Sequence, residues 1–289
     1  MTCSGLYTAL ITPFKNDRLD EEGLRSMMQR QRSAKVAGVV ALGTTAETPT
    51  LSQREKERIL QIVREEKGSL QLIVNCGCNS TWETLEKVET IEADFLLIAP
   101  PAYNKPEQEG LYRHFSMLAE RTKTPIILYN HPGRTGVNLT PEIVARLAQF
   151  PTIVGIKECS GNIIQAMEYI ESGLAILSGD DALILPLILV GGKGAIASSG
   201  NLIPFELEEL VAFALAGDLT RSLEIQRRFL PLFKAGGLES NPIPLKAALQ
   251  YLQLPSGEPR LPLTPLSKVN KQKLIEVLEQ CLEKSALVS

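Results

Sequence analysis

The sequence predicts an α/β chain folded as a (β/α)₈ (TIM) barrel with a C-terminal helical appendage. Three observations point there. Eight short runs, most of them apolar throughout, recur over the first three quarters of the chain. Longer amphipathic stretches separate them, and the repeat of about 24 residues is the length of one strand and helix unit. Parallel strands covered by helices on both faces read as unbroken apolar runs because neither face meets water.

In order, the strand candidates are Leu6 to Ile11, Val36 to Leu42, Leu70 to Asn75, Asp94 to Ala99, Pro125 to Asn130, Thr152 to Lys157, Leu174 to Ser178 and Gly194 to Ser198. The intervening helices announce themselves at their starts. Ser52 with Glu55, and Ser80 with Glu83, have capping-box spacing; Thr140 followed by Pro141 reads as an N-cap with proline at the first helical position. Leu24, Met27 and Met28 have the three-and-four spacing of a core-facing stripe. After Ser199 more chain remains than one closing helix needs, and it reads as helices over 217–234, 242–253 and 267–284, with a Pro-rich connection from Leu254 to Pro265. The expected organisation is a barrel carrying the active site over 1–215 and a helical region over 216–289, packed on the barrel or forming a subunit contact.

Composition excludes several function classes. The 289 residues carry 30 basic and 33 acidic side chains, a net charge of −3, so nothing points to nucleic acid or a membrane surface. Two histidines, His114 and His131, are too few for a multi-histidine centre, and no metal or cofactor is expected. Five cysteines, an odd number in a long chain, argue for a reducing compartment. The N-terminus has no basic segment before its apolar stretch, and the longest apolar run, Ala182 to Val190, is too short to span a bilayer. A cytoplasmic protein is expected.

In a (β/α)₈ barrel the active site lies at the C-terminal ends of the strands. Strand two ends in Gly43-Thr44-Thr45, strand four runs into Pro100-Pro101-Ala102-Tyr103, strand five ends in Tyr129-Asn130 and strand six in Lys157. Lys157 is the most informative, because a lysine closing an apolar strand points into the barrel. Desolvation there would lower its pKa from about 10.4 toward about 7 to 8, the condition for a Schiff-base amine. The alternative is a rim lysine that reaches solvent or pairs with Glu158. Tyr129 is a candidate proton carrier on the adjacent strand. Thr44 and Thr45 offer hydroxyls and N–H groups for a carboxylate, or form a plain strand-to-helix turn. Arg134, in the loop after strand five, could grip a second carboxylate with its guanidinium fork, or could be a solvated surface arginine.

These motifs together resemble the dihydrodipicolinate synthase family of Schiff-base aldolases, within the N-acetylneuraminate lyase superfamily. The resemblance runs nearly end to end, through Ala9-Leu10-Ile11-Thr12-Pro13-Phe14, Gly43-Thr44-Thr45-Ala46-Glu47, Pro101-Ala102-Tyr103-Asn104-Lys105-Pro106, Tyr129-Asn130-His131-Pro132, Gly155-Ile156-Lys157-Glu158, Leu177-Ser178-Gly179-Asp180-Asp181 and Asn241-Pro242-Ile243-Pro244. It implies a pyruvate imine on Lys157 and a proton relay of Tyr129, Thr45 and Tyr103, with Tyr103 reaching in from a neighbouring subunit of a homotetramer. It also implies that Thr44, Thr45 and the carbonyl of Ile196 place pyruvate, and that Arg134 binds the carboxylate of L-aspartate-4-semialdehyde. The product so implied is 4-hydroxy-tetrahydrodipicolinate, at the first step of diaminopimelate and lysine synthesis.

The chain departs from the family pattern at several positions. Ala46 stands where glycine is usual, which questions the turn, and Gly133 replaces a common serine. Asn79 and Glu83 match the lysine site of inhibited members, whereas Ala102, Gln53 and Lys56 replace an aromatic and two histidines, so weak or absent lysine inhibition is expected. Two other readings compete: a different pyruvate-dependent aldolase acting on sialic or keto-deoxy-sugar acids, against which Arg134 and Thr44 argue, and a barrel that binds a small acid without catalysis. Gly191-Gly192-Lys193-Gly194 resembles a phosphate cradle but precedes strand eight, at the wrong end of the barrel, and reads as a turn. Cys76-Gly77-Cys78 lacks a second pair, and Asp180-Asp181 reads as a helix cap.

Overall fold

The computed structural model describes residues 3–283. Eight parallel strands close into a barrel in chain order: β1 (Gly5–Ala9), β2 (Gly38–Ala41), β3 (Gln71–Asn75), β4 (Phe95–Ile98), β5 (Ile126–Asn130), β6 (Ile153–Glu158), β7 (Ala175–Ser178) and β8 (Gly194–Ala197). β8 closes the ring by pairing with β1. Each expected strand is present within two residues at either end. A two-residue antiparallel hairpin, Phe14–Lys15 with Arg18–Leu19, was not expected; Asn16 and Asp17 turn it at φ 53° and 57°, a conformation that Asn and Asp tolerate.

Helices follow the strands as α1 (Glu21–Ala34), α2 (Gln53–Glu66), α3 (Thr81–Thr90), α4 (Gln108–Arg121), α5 (Pro141–Leu147), α6 (Ile163–Ile170), α7 (Ile184–Leu189) and α8 (Pro204–Leu215). The capping box at α2 forms in full, with both Ser52 and Glu55 bonding back. At α3 only half of the expected box forms: Ser80 accepts the Glu83 N–H at 3.4 Å, with no return bond. Thr140 caps α5 as expected.

Strand alternation sorts the side chains into two layers. Leu128, Ile156 and Ile176 pack outward against the helices, whereas Tyr7, Val40, Ile73, Phe95, Leu97, Ile127, Tyr129, Leu177 and Ile196 fill the barrel interior. Lys157 follows Ile156 and therefore points inward; Glu158 points outward. β6 also packs tightly on β7 at Gly155, where an added Cβ would lie 2.6 Å from the carbonyl oxygen of Ala175.

Besides a four-residue helical turn at Pro132–Thr135, which carries Arg134, three more helices follow: α9 (Leu219–Ala235), α10 (Ile243–Tyr251) and α11 (Lys268–Glu283). They match the late helices of the sequence reading, apart from residues 284–289, which lie outside the described residues. They pack back on the barrel. Lys246 of α10 and Glu47, just past β2, form an ion pair at 2.5 Å with both side chains fully buried. Glu47 also accepts the Arg260 N–H at 2.8 Å. Removing one partner of such a pair would leave an uncompensated buried charge, a loss on the order of 3 to 5 kcal/mol. The turn after β2 is thus tied to the C-terminal region.

Candidate active site

The turn after β2 is a single 3₁₀ turn, Thr44–Ala46, opened by Gly43. Its left-handed residue is Glu47 at φ 54°, not Ala46, so alanine in place of the usual glycine leaves the turn intact. The Ala46 carbonyl accepts the Thr12 hydroxyl at 2.8 Å. Thr45 is buried, and its hydroxyl accepts a hydrogen bond from Asn241 Nδ2 at 2.9 Å.

Lys157 lies beside Tyr129 in the β5–β6 register and beside Leu177 in the β6–β7 register. Only 8% of its surface is exposed, so the rim-lysine alternative fails. Pairing with Glu158 fails too. That carboxylate accepts from Asn130 Nδ2 at 2.9 Å and from the Ser160 N–H at 2.5 Å on the outer face of the strands. The same asparagine bonds Tyr169 and Asn138, so a buried polar network behind the site locks β5 to β6. The Lys157 ammonium sits 4.4 Å from the centroid of the Tyr129 ring, within cation–π range. His131 packs edge-on against that ring, with centroids 5.8 Å apart.

Burial disfavours charge on Lys157, but Tyr129, Cys159 and Asp181 favour it, and together they hold the pKa above the ordinary lysine value. The expected downward tuning toward neutrality is therefore not found in the unliganded site. The sequence reading allowed for desolvation and left out the neighbours that favour the charge, Tyr129 first, then Cys159 and Asp181. Tyr129 is raised by its own burial, against the pull of Lys157 and Arg134 and a hydrogen bond with Thr44. Burial pushes the Cys159 thiol up to about 12 and His131 down to about 4, so both are uncharged near neutral pH.

These groups open onto one cavity of about 410 Å³, lined by Thr44, Thr45, Tyr129, Arg134, Lys157 and Ile196 among others. Six of the seven expected site residues thus converge. Tyr103 does not: it is 93% exposed at φ 70°, and with Arg134 it lines a separate open hollow. Arg134 is exposed, and its guanidinium donates to the Asn241 carbonyl at 3.4 Å. Gly133 leaves ordinary contact space beside His131, so serine would fit there equally well.

The sequence reading missed several lining residues. Asn241 bridges Thr45 and Arg134, and Phe233 and Lys234 reach the cavity from the end of α9. Asn241 stands in a motif that the reading quoted without a role; the return of α9 to the barrel mouth leaves no local signal. Asp181 was taken for a cap. Asp180 does cap the turn that follows, accepting the Ala182 N–H at 2.9 Å. Asp181 instead accepts from the Ser198 N–H and hydroxyl at 3.2 and 3.1 Å and from the Ser199 N–H at 2.7 Å, fastening β7 to β8. Gly191 to Lys193 form a turn on the N-terminal side of β8, away from the cavity. Cys76 and Cys78 carry free thiols.

A closed barrel whose mouth holds a buried lysine against a tyrosine has the arrangement of a Schiff-base-forming lyase. The chain belongs to the dihydrodipicolinate synthetase family, which it matches over residues 2–281. It is 45% identical to the 4-hydroxy-tetrahydrodipicolinate synthase of Protochlamydia amoebophila, with 97% of each chain covered. Among solved structures it is similar to the 4-hydroxy-tetrahydrodipicolinate synthase of the thermoacidophilic methanotroph Methylacidiphilum fumariolicum SolV, at TM-score 0.94 and 38% identity, covering 99% of this chain and 98% of that one. It is also similar to a chloride-inhibited dihydrodipicolinate synthase of Acinetobacter baumannii solved with pyruvate, at TM-score 0.93 and 36% identity, covering 97% and 99%.

Proposed function

We propose that the chain is a lyase that condenses pyruvate with L-aspartate-4-semialdehyde to give 4-hydroxy-tetrahydrodipicolinate, the first step toward diaminopimelate and lysine. Family membership and named relatives at 40–45% identity support this reading. The observation that carries it is the Lys157 amine, buried against the Tyr129 ring at the mouth of the barrel.

Lys157 Nζ, once deprotonated, adds to the keto carbon of pyruvate; loss of water gives the imine. Tyr129 carries protons to and from this centre, backed by Thr44 and Thr45. Thr44, Thr45 and the Ile196 carbonyl seat the pyruvate carboxylate and keto group. Loss of a methyl proton yields an enamine, whose carbon attacks the aldehyde. The amino group of the second substrate then displaces Lys157 from the keto carbon, closing the ring and freeing the enzyme. Arg134 at the rim holds the second substrate's carboxylate, where a guanidinium pairs bidentately.

Tyr103 completes the relay from a neighbouring subunit in a homotetramer, a role its 93% exposure supports. Of the described residues, the barrel to 215 carries the chemistry, and 216–283 form a helical region packed on it. Among the described residues no helix is long and apolar enough to cross a membrane, which fits a cytoplasmic location. No metal or cofactor is required. The test is consumption of L-aspartate-4-semialdehyde with pyruvate, with borohydride trapping in parallel. Dependence on both substrates and a reduced pyruvyl adduct on Lys157 are expected. Turnover of sugar-acid aldehydes in preference, or an absent adduct, would overturn the reading.

A further inference from the structure

Lys157 reaches the cavity along a wall that the mechanism above does not use. Cys159 follows β6, and its N–H donates to the Asn130 carbonyl at 2.9 Å. Gly179 follows β7, and its N–H donates to the Glu158 carbonyl at 2.8 Å. Both backbones are therefore fixed as extensions of the barrel ladder. Where a Cβ would stand at Gly179, it would lie 2.0 Å from Cys159 Sγ, 2.7 Å from Lys157 Cε and 3.0 Å from Lys157 Cγ. The thiol and the lysine stem thus crowd the one slot that the glycine leaves open, and Cys159 and Gly179 line the same cavity as the amine.

We infer that Cys159 and Gly179 are positioning residues that clamp the Lys157 stem so that its amine stands over the Tyr129 ring. The clamp rests on the reading of Lys157 as the imine-forming residue. Without the sulfur the stem gains room on that side and the amine leaves the ring. With a side chain at 179, the stem is pushed off the wall from the other side. The thiol acts by its shape, not as a nucleophile, since burial keeps it protonated near neutral pH. Misplacing a reacting group by about 1 Å can cost on the order of 100-fold in rate.

The test compares wild-type, Cys159→Ala, Cys159→Ser, Gly179→Ala and the double Gly179→Ala/Cys159→Ala full-length proteins. Each is incubated with pyruvate and quenched with borohydride over a time course, and its melting temperature is measured. Cys159→Ala is expected to trap pyruvate about tenfold more slowly, with half-saturating pyruvate changed less than about twofold. Cys159→Ser, which refills most of the slot, regains most of that rate. Gly179→Ala is expected to melt well below wild type or to fail to fold. The double variant folds, because the clash with sulfur is gone, yet traps more slowly than Cys159→Ala, because the new Cβ still meets Lys157 Cε. Wild-type trapping speed in Cys159→Ala, or a double variant as fast as Cys159→Ala, would overturn the clamp and leave the imine reading standing. No adduct on wild-type Lys157 would overturn both.

Discussion

The two tyrosines of the expected relay sit in opposite surroundings. Tyr129 is on a strand, 7% exposed, held in register beside Lys157 and backed by the Asn130, Glu158 and Tyr169 network. Tyr103 is on the loop after β4, 93% exposed, in a left-handed conformation shared with nearby Lys105. A ladder of main-chain hydrogen bonds fixes the first, while the second stands with its ring exposed on a loop tied down at Ala102, whose N–H donates to Asn79 Oδ1 at 2.9 Å. On the proposed reading, the half of the site that forms the imine lies within one chain, and the half that relays protons outward draws on a neighbouring subunit.

The most severe way to break the strand-borne half is Lys157→Arg, which keeps the charge over the ring and removes the nucleophile. Turnover is expected to fall by at least about 10⁴ and the borohydride adduct to vanish, with the circular dichroism spectrum unchanged. Tyr129→Phe keeps the ring beneath the amine and deletes the phenol; kcat should drop by about 10² to 10⁴, read in a steady-state assay. The loop-borne half invites a different test. Mixing inactive Lys157→Arg with impaired Tyr103→Phe under conditions of subunit exchange should restore activity above that of either alone, because some sites then draw an intact lysine and an intact tyrosine from different chains. Activity no higher than the sum of the two would place the Tyr103 role within one chain or nowhere.

Acidity gives a smaller and graded effect. The Lys157 pKa lies above its ordinary value, so near neutral pH the amine is charged and the reactive fraction is the minor one. That fraction grows about tenfold for each pH unit below the pKa. The rate of imine trapping should accordingly rise with pH from 7 to 9, and a rate that fell over this range would contradict the assignment. The smallest expected effect is that of lysine. With Ala102, Gln53 and Lys56 in place of an aromatic and two histidines, half-inhibition should need millimolar lysine or more, and inhibition well below millimolar would refute this.

The same contrast explains what the sequence made legible. Strand-borne residues announced themselves, because an apolar run ending in Lys157 or Tyr129 states both the buried face and the end of the strand. The Thr44-Thr45 turn was readable for the same reason, though its left-handed residue proved to be Glu47. Contacts between segments distant in the chain were not readable. Asn241 meets Thr45 across 196 positions, and Lys246 meets Glu47 across a comparable gap, so no local periodicity encodes either. The charge on Lys157 was misjudged because burial alone was weighed, without the neighbours that favour the charge, Tyr129 first and then Cys159 and Asp181. Tyr103 was legible only as a residue just past strand four; its role came from the family resemblance alone.

The most direct test of the central claim is a crystal structure of the protein grown or soaked with pyruvate. Continuous density should run from Lys157 Nζ to the keto carbon, with the carboxylate against the Thr44–Thr45 turn and the Tyr129 hydroxyl facing the new bond. Pyruvate bound without a covalent link to Lys157, or an amine turned away from the Tyr129 ring toward solvent, would contradict it.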